Sequence, residues 1–510
     1  MWKKAWDRFL NNYLKKAWAP TIVVTLIFFV TYFGFGAENS MIAPFATLAF
    51  LRFRDLKRHY SCIIKTYGIF CIMVLAAHIA VFNLPLCIIV NALALFWICA
   101  LLIDEYQLNN YFPPAMALIF FQMSPVKGWM AVGNRMLAMA VSFLIIFAFL
   151  YLLNLTEKED ILESLAAEGQ QDCYRLYKAV REEDGEEAER LRGIICRGNR
   201  RMSSIIYAAN RASLIMYGEV NTYCRYVALF EAVTFESKGR GGKEHVLKEM
   251  EILLQRIAYL KANEIPDNRK LQFRDGRFDL KLTRYRFGIR QILIVVPTLV
   301  FAYMSGWKNA YWLTISVFFM LVPFYENTGQ RVKARVFGTL RGIIFCMLLF
   351  FVFRSFPARV AIMTVFNFLI YTASGYESMV SYITCSALAL NAMQSGVGLM
   401  LLQRVAYTLI GAGITVLANR YVFPVKLKPA IAIIKEKLAE IMYRLEHEIP
   451  YIEDRNKKWH CVNECVIKAY MMGNTLTEYD GSEENRRFLQ QYMHEVIQCI
   501  KGKIDKQDMV

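Results

Sequence analysis

Signatures of catalysis and of metal binding are missing from this chain. Its 12 cysteines are scattered, only Cys461 and Cys465 stand four apart, and no Cys-x-x-Cys pair or mixed His/Cys ligand set occurs. The 6 histidines lie singly. No Gly-x-Ser-x-Gly, His-Glu-x-x-His or dinucleotide fingerprint is present. Lys238-Gly-Arg-Gly-Gly-Lys243 is glycine-rich, but no Ser or Thr follows Lys243 and no strand pattern precedes it, so the stretch reads as a loop between helices far more readily than as a phosphate loop. These absences point away from an enzyme and imply no cofactor and no metal. Charge is also scarce where it matters. Long uncharged runs fill residues 20–154 and 291–425, whereas 156–290 and 426–510 are dense in charge.

What fills those runs is apolar. Apolar types make up 56 % of the 510 residues and mean hydropathy is positive, above the 45–50 % usual for soluble domains. Crossing hydrocarbon takes about 20 mostly apolar residues. The pattern divides into six candidate spans per half: 20–36, 40–52, 62–81, 84–103, 112–125 and 132–154, then 288–305, 309–324, 336–353, 358–373, 379–395 and 400–423. Helices are expected, because backbone groups in lipid must bond internally and no long alternating barrel strands occur. The first run lacks a small-residue cleavage site and reads as a retained helix. The sequence thus predicts an all-α, polytopic membrane protein of four parts. A first transmembrane module (1–155) precedes a cytoplasmic helical domain (156–286), and a second module (287–425) precedes a cytoplasmic helical tail (426–510).

Residues 1–155 carry 12 basic and 5 acidic groups and residues 291–425 carry 9 and 2, so each half has a surplus of seven positive charges. The excess therefore lies beside the membrane, which argues against nucleic acid as the partner. Basic residues cluster at Lys3–Lys16, between spans two and three (Arg52, Arg54, Lys57, Arg58, Lys65), and at the matching place in the second half (Arg331, Lys333, Arg335, Arg341). Because cytoplasmic loops collect Lys and Arg, both termini and the central domain are placed in the cytoplasm of an inner or plasma membrane.

The halves echo one another. An offset of about 270 sets Lys65-Thr-Tyr-Gly68 on Arg335-Val-Phe-Gly338, Phe96 on Phe366 and Tyr106 on Tyr376; one residue less sets Arg135 on Arg404. Six spans per half make both copies face the same way, as in parallel-repeat transporters.

Within Arg290 to Gly342 stand Tyr311-Trp312, Thr314, Pro323, Thr328, Arg331, Arg335, Gly338-Thr339 and Gly342; further on come Arg404-Val-Ala-Tyr-Thr-Leu-Ile-Gly411 and Pro424. That order resembles the fusaric acid resistance and aromatic acid exporter family of bacterial membrane proteins, over about 135 residues of the second half. The first half resembles it in outline only, without the Tyr-Trp pair or the Gly-Thr. The resemblance implies two six-helix modules with a cytoplasmic helical domain, efflux of aromatic carboxylates and a homodimer or other homo-oligomer in a lipid bilayer. Plant aluminium-activated malate channels look like distant relatives, so an uncoupled channel is equally implied.

Candidate pathway residues follow from chemistry. Arg135 and Arg404 each open an apolar span, and a guanidinium there faces protein, water or a bidentate carboxylate; snorkelling or a bond to a carbonyl is the alternative. Tyr311 and Trp312 would stack on a ring with Thr314 supplying a hydroxyl, or anchor the interface. Asn391 and Gln394, with Ser395, Gln122 and Ser124, would line a pathway or bond helix to helix. Arg54, Lys65, Arg331 and Arg335 would gather anions at a cytoplasmic mouth or only set topology. No carboxylate or histidine falls at mid-span, which gives ion coupling little support. The charged segments predict helices over 186–195, 203–235, 246–262, 430–448, 463–472 and 483–501. Three functions remain open: export of small organic anions, an uncoupled anion channel, and a non-transporting membrane scaffold.

Overall fold

A computed structural model describes residues 15–54, 61–103, 106, 108–156, 161–212, 217–239, 242–262, 271, 280, 282–307, 309–353, 355–392, 397–424 and 426–500. Among these residues all regular structure is helical. We number the α-helices in chain order: α1 Lys15–Phe35, α2 Ile42–Arg54, α3 Ser61–Ala80, α4 Leu84–Leu102, α5 Phe112–Met123 and α6 Trp129–Thr156. Then come α7 Ile161–Glu182, α8 Gly185–Ala212, α9 Tyr217–Glu236 and α10 Lys243–Ala262. The second apolar half gives α11 Thr283–Ser305, α12 Tyr311–Met320, α13 Tyr325–Val352, α14 Phe356–Thr372, α15 Tyr376–Ala392 and α16 Val397–Tyr421. Last are α17 Leu427–His447, α18 Arg455–Tyr479 and α19 Glu483–Cys499. The chain divides into two compact units: 1–54, 63–153 and 278–427 form the first, and 55–62, 154–277 and 428–510 the second.

The first unit is inside out relative to a soluble domain. On α6, Leu137, Leu144 and Leu152 are exposed, Leu144 by 64 %, while Arg135 and Ser142 are buried. On α16, Leu402 (68 % exposed) and Leu417 face outward, while Arg404, Thr408 and Thr415 face inward. Thr408 and Thr415 donate to carbonyls one turn back, of Arg404 and Gly411, at 2.7 and 2.8 Å. Contiguous exposed apolar surface of this kind marks contact with lipid or partners, and polar side chains within membrane helices turn toward the bundle interior. Seven helices of this unit (α1, α3, α4, α6, α11, α13 and α16) are long and apolar enough to cross a membrane.

Three others are too short. α2, α5 and α12 have 13, 12 and 10 residues, or about 15–20 Å at 1.5 Å per residue, against about 30 Å of hydrocarbon. They are also among the most buried, α12 along nearly its whole length. A helix that ends inside the fold leaves its last carbonyls without intrahelical donors.

Packing follows the internal repeat. α1 packs on α14, and its counterpart α11 packs on α4; α1 packs on α2 as α11 packs on α12. The turns after α1 and α11 correspond as well: Gly36 and Gly306 take positive φ (99° and 62°), the region open to glycine, and Asn39 and Asn309 follow at the same offset of 270. One contact is not shared. On α13, a Cβ at Gly338 would lie 2.6 Å from the Glu377 carbonyl oxygen, and one at Gly342 2.6 Å from that of Ser381, so α13 and α15 touch backbone to backbone. Gly68, the counterpart of Gly338, has open space.

In the second unit α7–α10 pack in succession, with α18 against α8 and α9 and α19 against α9. The buried face of α7 (Leu162, Leu165, Ala166, Cys173, Leu176) recurs at helical spacing. Asp454 caps α18 through the amides of Asn456 and Lys457 at 2.9 and 3.2 Å. The sequence reading lacks α7 and treats 203–235 as one run, where two helices, α8 and α9, stand.

Candidate functional site

Arginine in the first unit solves a local problem before it serves a function. Arg135, seventh in α6 and 2 % exposed, donates through Nη1 to Phe121 O (3.3 Å) and through Nη2 to Ser124 O (2.6 Å). These are the carbonyls left open at the end of short α5. The same guanidinium reaches Glu38 O at 3.2 Å and Asn39 Oδ1 at 3.0 Å. A cation at a helix C-terminus also meets the negative end of the dipole. Arg290 plays the corresponding part below α12: it donates to Val322 O and Pro323 O and to the Asn419 side chain.

Arg335 and Arg404 are held differently. Arg404, eighth in α16 and 6 % exposed, lies with its guanidinium carbon 5.3 Å from the Trp312 ring centre. Arg335, eleventh in α13 and 1 % exposed, lies 4.6 Å from the Phe319 ring. Among the described residues no hydrogen bond reaches Arg335 Nε or Nη1, although its guanidinium is hydrogen-bonded to Tyr376, and the Arg404 guanidinium makes none. The two are electrostatic neighbours of each other, with no carboxylate between them. Arg331 flanks Arg335, its guanidinium 3.4 Å from the Tyr376 ring centre and its Nε 3.4 Å from Phe319 O.

Magnitudes separate these groups. Removing an ion from water costs several kcal/mol even after relaxation. Four charge-assisted hydrogen bonds at about 1.5–3 kcal/mol each offset this for Arg135. One cation–π contact is worth about 2 kcal/mol when desolvated, which leaves Arg404 short of compensation and Arg335, with one further hydrogen bond to Tyr376, offset less fully than Arg135. Buried hydroxyls nearby are unmatched too: Thr314 and Ser316 on α12, Thr339 on α13 and Thr384 on α15 have no partner among the described residues, nor has the Gln291 amide on α11.

α12 connects these groups. Trp312, Ser316 and Phe319 fall at i, i+4 and i+7, on one helical face, with the two rings about 10 Å apart along the axis. A Cβ on Gly411 of α16 would sit 3.0 Å from Ser316 Cβ, so this stripe faces α16. Met320, Val332 and Ala412 close an apolar cluster beneath it.

The structure therefore joins residues that the sequence assigned to two groups. Arg331 and Arg335, expected at a cytoplasmic mouth, lie within α13, which begins ten residues before Arg335, and Arg335 is an electrostatic neighbour of Arg404. Their first-half counterparts differ: Lys65 is exposed on α3, and Arg54 ends α2, half-buried. Arg135 is far from equivalent to Arg404, since its donors are taken by carbonyls and Asn39. Tyr311 and Thr314 stand in the first turn of α12. Gln122 forms a closed pair with Asn91, in both directions at 2.7 and 3.0 Å, so it is not a free lining group, and the Ser124 carbonyl is bound by Arg135. Asn391 falls in the last turn of α15, and Gln394 lies outside the described residues. Ser316 and Thr384 escaped the sequence reading, and Arg290 and Thr339 stood in it only as part of the family-like motif, without a role. A groove of about 540 Å³ between α11 and α16 is lined by Pro297, Phe301, Trp307, Tyr407 and Ile410 among others. It excludes all of the arginines and is apolar, so it is not where the charge lies.

Comparison with known proteins places this geometry. Residues 296–418 match the fusaric acid resistance protein-like family. The inner membrane protein YccS of Escherichia coli (strain K12) is 26 % identical over 143 residues, 28 % of this chain and 20 % of that protein. An uncharacterized protein of Haemophilus influenzae is 22 % identical over 152 residues, 29 % of this chain and 21 % of that one. The chain thus spans about one fifth of the length of the curated relatives it matches. No solved structure matches. The protein is a multi-pass, helical membrane protein. Its segment 296–418, which holds α12 and Arg331, Arg335 and Arg404, is similar to the fusaric acid resistance protein-like family.

Proposed function

We propose that this protein moves small organic anions, aromatic carboxylates in particular, out across an inner or plasma membrane. In this reading α1–α6 and α11–α16 are two parallel modules in the bilayer, the charged helices and both termini are cytoplasmic, and the protein works as a homodimer. The observation that carries it is the buried pair Arg335 and Arg404, unmatched by any carboxylate and set in membrane-length helices of the family-matched segment. A guanidinium kept in a low-dielectric interior without a counter-charge favours an incoming anion, and its fork geometry suits a carboxylate. α12, a short helix ending inside the fold, is the kind of broken element around which transporters build their sites. Arg54 and Lys65 would draw anions toward the cytoplasmic side.

A second reading, an uncoupled anion channel, is favoured by one observation. Among the described residues of the first unit no carboxylate is buried; Glu377 is ion-paired with Arg341 at 2.6 Å, and Glu326 accepts from the Leu427 amide. Membrane proton relays use buried acids or histidines, and here only His78, packed between Phe82 and Trp129 near the end of α3, is of that kind. Purified protein in liposomes decides. Uphill accumulation of 2-hydroxybenzoate under an imposed pH difference is expected of the exporter, and current without coupling of the channel. No flux of any carboxylate in a broad panel refutes both.

A further inference from the structure

The repeat invites the expectation of two equivalent arginine sites. The two arginines are spent differently, however. Arg135 makes four hydrogen bonds to fixed acceptors of its own half, Glu38 O, Asn39, Phe121 O and Ser124 O. Arg404 makes none among the described residues. The residue that would match Asn39 is Asn309, whose Nδ2 donates to Gln403 Oε1 at 2.6 Å; among the described residues no bond joins its side chain to Arg404 as Asn39 joins Arg135. The first half also lacks the second cation, because the counterpart of buried Arg335 is exposed Lys65.

We infer that the second half alone holds a carboxylate site, one per chain, in which Arg404 and Arg335 bind a single small carboxylate anion along the Trp312–Ser316–Phe319 face of α12, while Arg135 is a brace. Three features converge on it. Two guanidinium groups, each more than nine-tenths buried, lie within electrostatic reach of each other. Donors remain on Arg335 Nε and Nη1. The Ser316 hydroxyl, fully buried between the two aromatic rings, has no partner among the described residues. Two like charges so placed repel, and one bound carboxylate relieves both at once. The rings beside the planar guanidiniums orient them for bidentate contact. This inference deepens the proposal that the protein carries organic anions and rests on it for the choice of carboxylate.

The test is equilibrium binding of radiolabelled benzoate to the full-length protein in lipid nanodiscs, beside thermal unfolding and liposome flux. Wild type is expected to bind one benzoate per chain. Arg404→Gln and Arg335→Gln are each expected to weaken binding at least about tenfold without lowering the unfolding temperature, since each removes an uncompensated charge. Arg404→Lys keeps the charge and loses the fork, and should fall between. Arg135→Gln should lower the unfolding temperature and leave the affinity of the folded protein unchanged. Ser316→Ala gives an independent arm with a milder loss. Two benzoates per chain, or equal loss from Arg135→Gln and Arg404→Gln, would overturn the asymmetry. Flux that persists in both Arg404→Gln and Arg335→Gln sinks this site alone. Binding lost in those variants while wild type shows no flux sinks the transport reading and leaves the site standing.

Discussion

Gly338 and Gly342 offer a sharp test of the membrane packing, because α13 carries its own control. A Cβ at either position meets a backbone carbonyl of α15 at 2.6 Å and a side-chain carbon, of Val380 or Thr384, at 2.9 Å. Ordinary carbon–oxygen contacts need about 3.3 Å even when weakly hydrogen-bonded, so alanine must push the helices apart by more than half an ångström. Backbone cannot rotate away as a side chain would. Overpacking of this size costs about 1–3 kcal/mol, and the loss of close interhelical contact adds to it. Against this stands the helix propensity of alanine over glycine, up to about 1 kcal/mol. The expected net effect is destabilisation by about 1–2 kcal/mol for Gly338→Ala or Gly342→Ala. Gly329 lies on the same helix with nothing within 4 Å of a built Cβ, so Gly329→Ala keeps only the favourable term. Thermal unfolding of the three variants in one detergent separates them, with the first two several degrees below the third. If Gly338→Ala matches Gly329→Ala, α13 and α15 do not meet at these glycines.

Other consequences concern groups that transport does not use. Asn91 and Gln122 satisfy each other inside the first unit; truncating either to leucine should cost about 1–3 kcal/mol by orphaning its mate. The double change should cost less than the sum, which a double-mutant cycle in thermal unfolding would reveal; strict additivity would refute the pairing. In the second unit Glu231 is buried and bonded to Tyr470 and Asn199, with Arg200 and Lys238 as the nearest cations. Burial pushes its carboxyl above the ordinary carboxylate range. As pH rises past that range, the unfolded chain loses its proton first, so stability should fall until the raised value is passed. Glu231→Gln should remove this decline; amide exchange of α8, α9 and α18 in the full-length protein at several pH values checks it, and an unchanged slope would refute it.

The helices of the first unit were legible because lipid imposes one rule on sequence: an apolar run with internal backbone bonding. Each run from 20–36 to 400–423 falls on a helix, short α2, α5 and α12 included, and the largest difference is at α13, which begins eleven residues before the expected 336. The second unit was less legible. α7 spaces its apolar residues among Glu168, Gln170, Gln171 and Asp172, and its buried stripe is narrow enough to pass for a polar stretch. The turn signals were read incompletely as well. Gly36 and Gly306, each followed three residues later by asparagine, are a stronger mark of the repeat than several of the pairs aligned first. Their likeness lies in backbone conformation, which a search for shared apolar types does not weigh.

The arginines show where sequence reasoning must stop. Arg135 and Arg404 occupy matching places, precede similar apolar runs and invite the same two readings, ligand or brace. What divides them is which acceptors arrive from elsewhere in the fold. α5 ends beside Arg135 and offers open carbonyls from residues 11 and 14 positions away. α12 ends at the level of Arg331 and Arg335, where Phe319 O is taken by Arg331 and the carbonyls of Val322 and Pro323 by Arg290. Arg404, over Trp312 at the other end of α12, lies away from those carbonyls and meets a ring in their place. A buried cation with bonded neighbours is a structural part, and one whose neighbours are already bonded to others is open to a ligand. The difference is a property of hydrogen-bond bookkeeping over the whole unit, and it follows that substituting Arg290 should matter to binding. Arg290→Ala would free the Pro323 carbonyl and Asn419 to compete for nearby donors, so benzoate affinity should fall together with stability; affinity held constant while stability falls would show that the two arginine networks are independent.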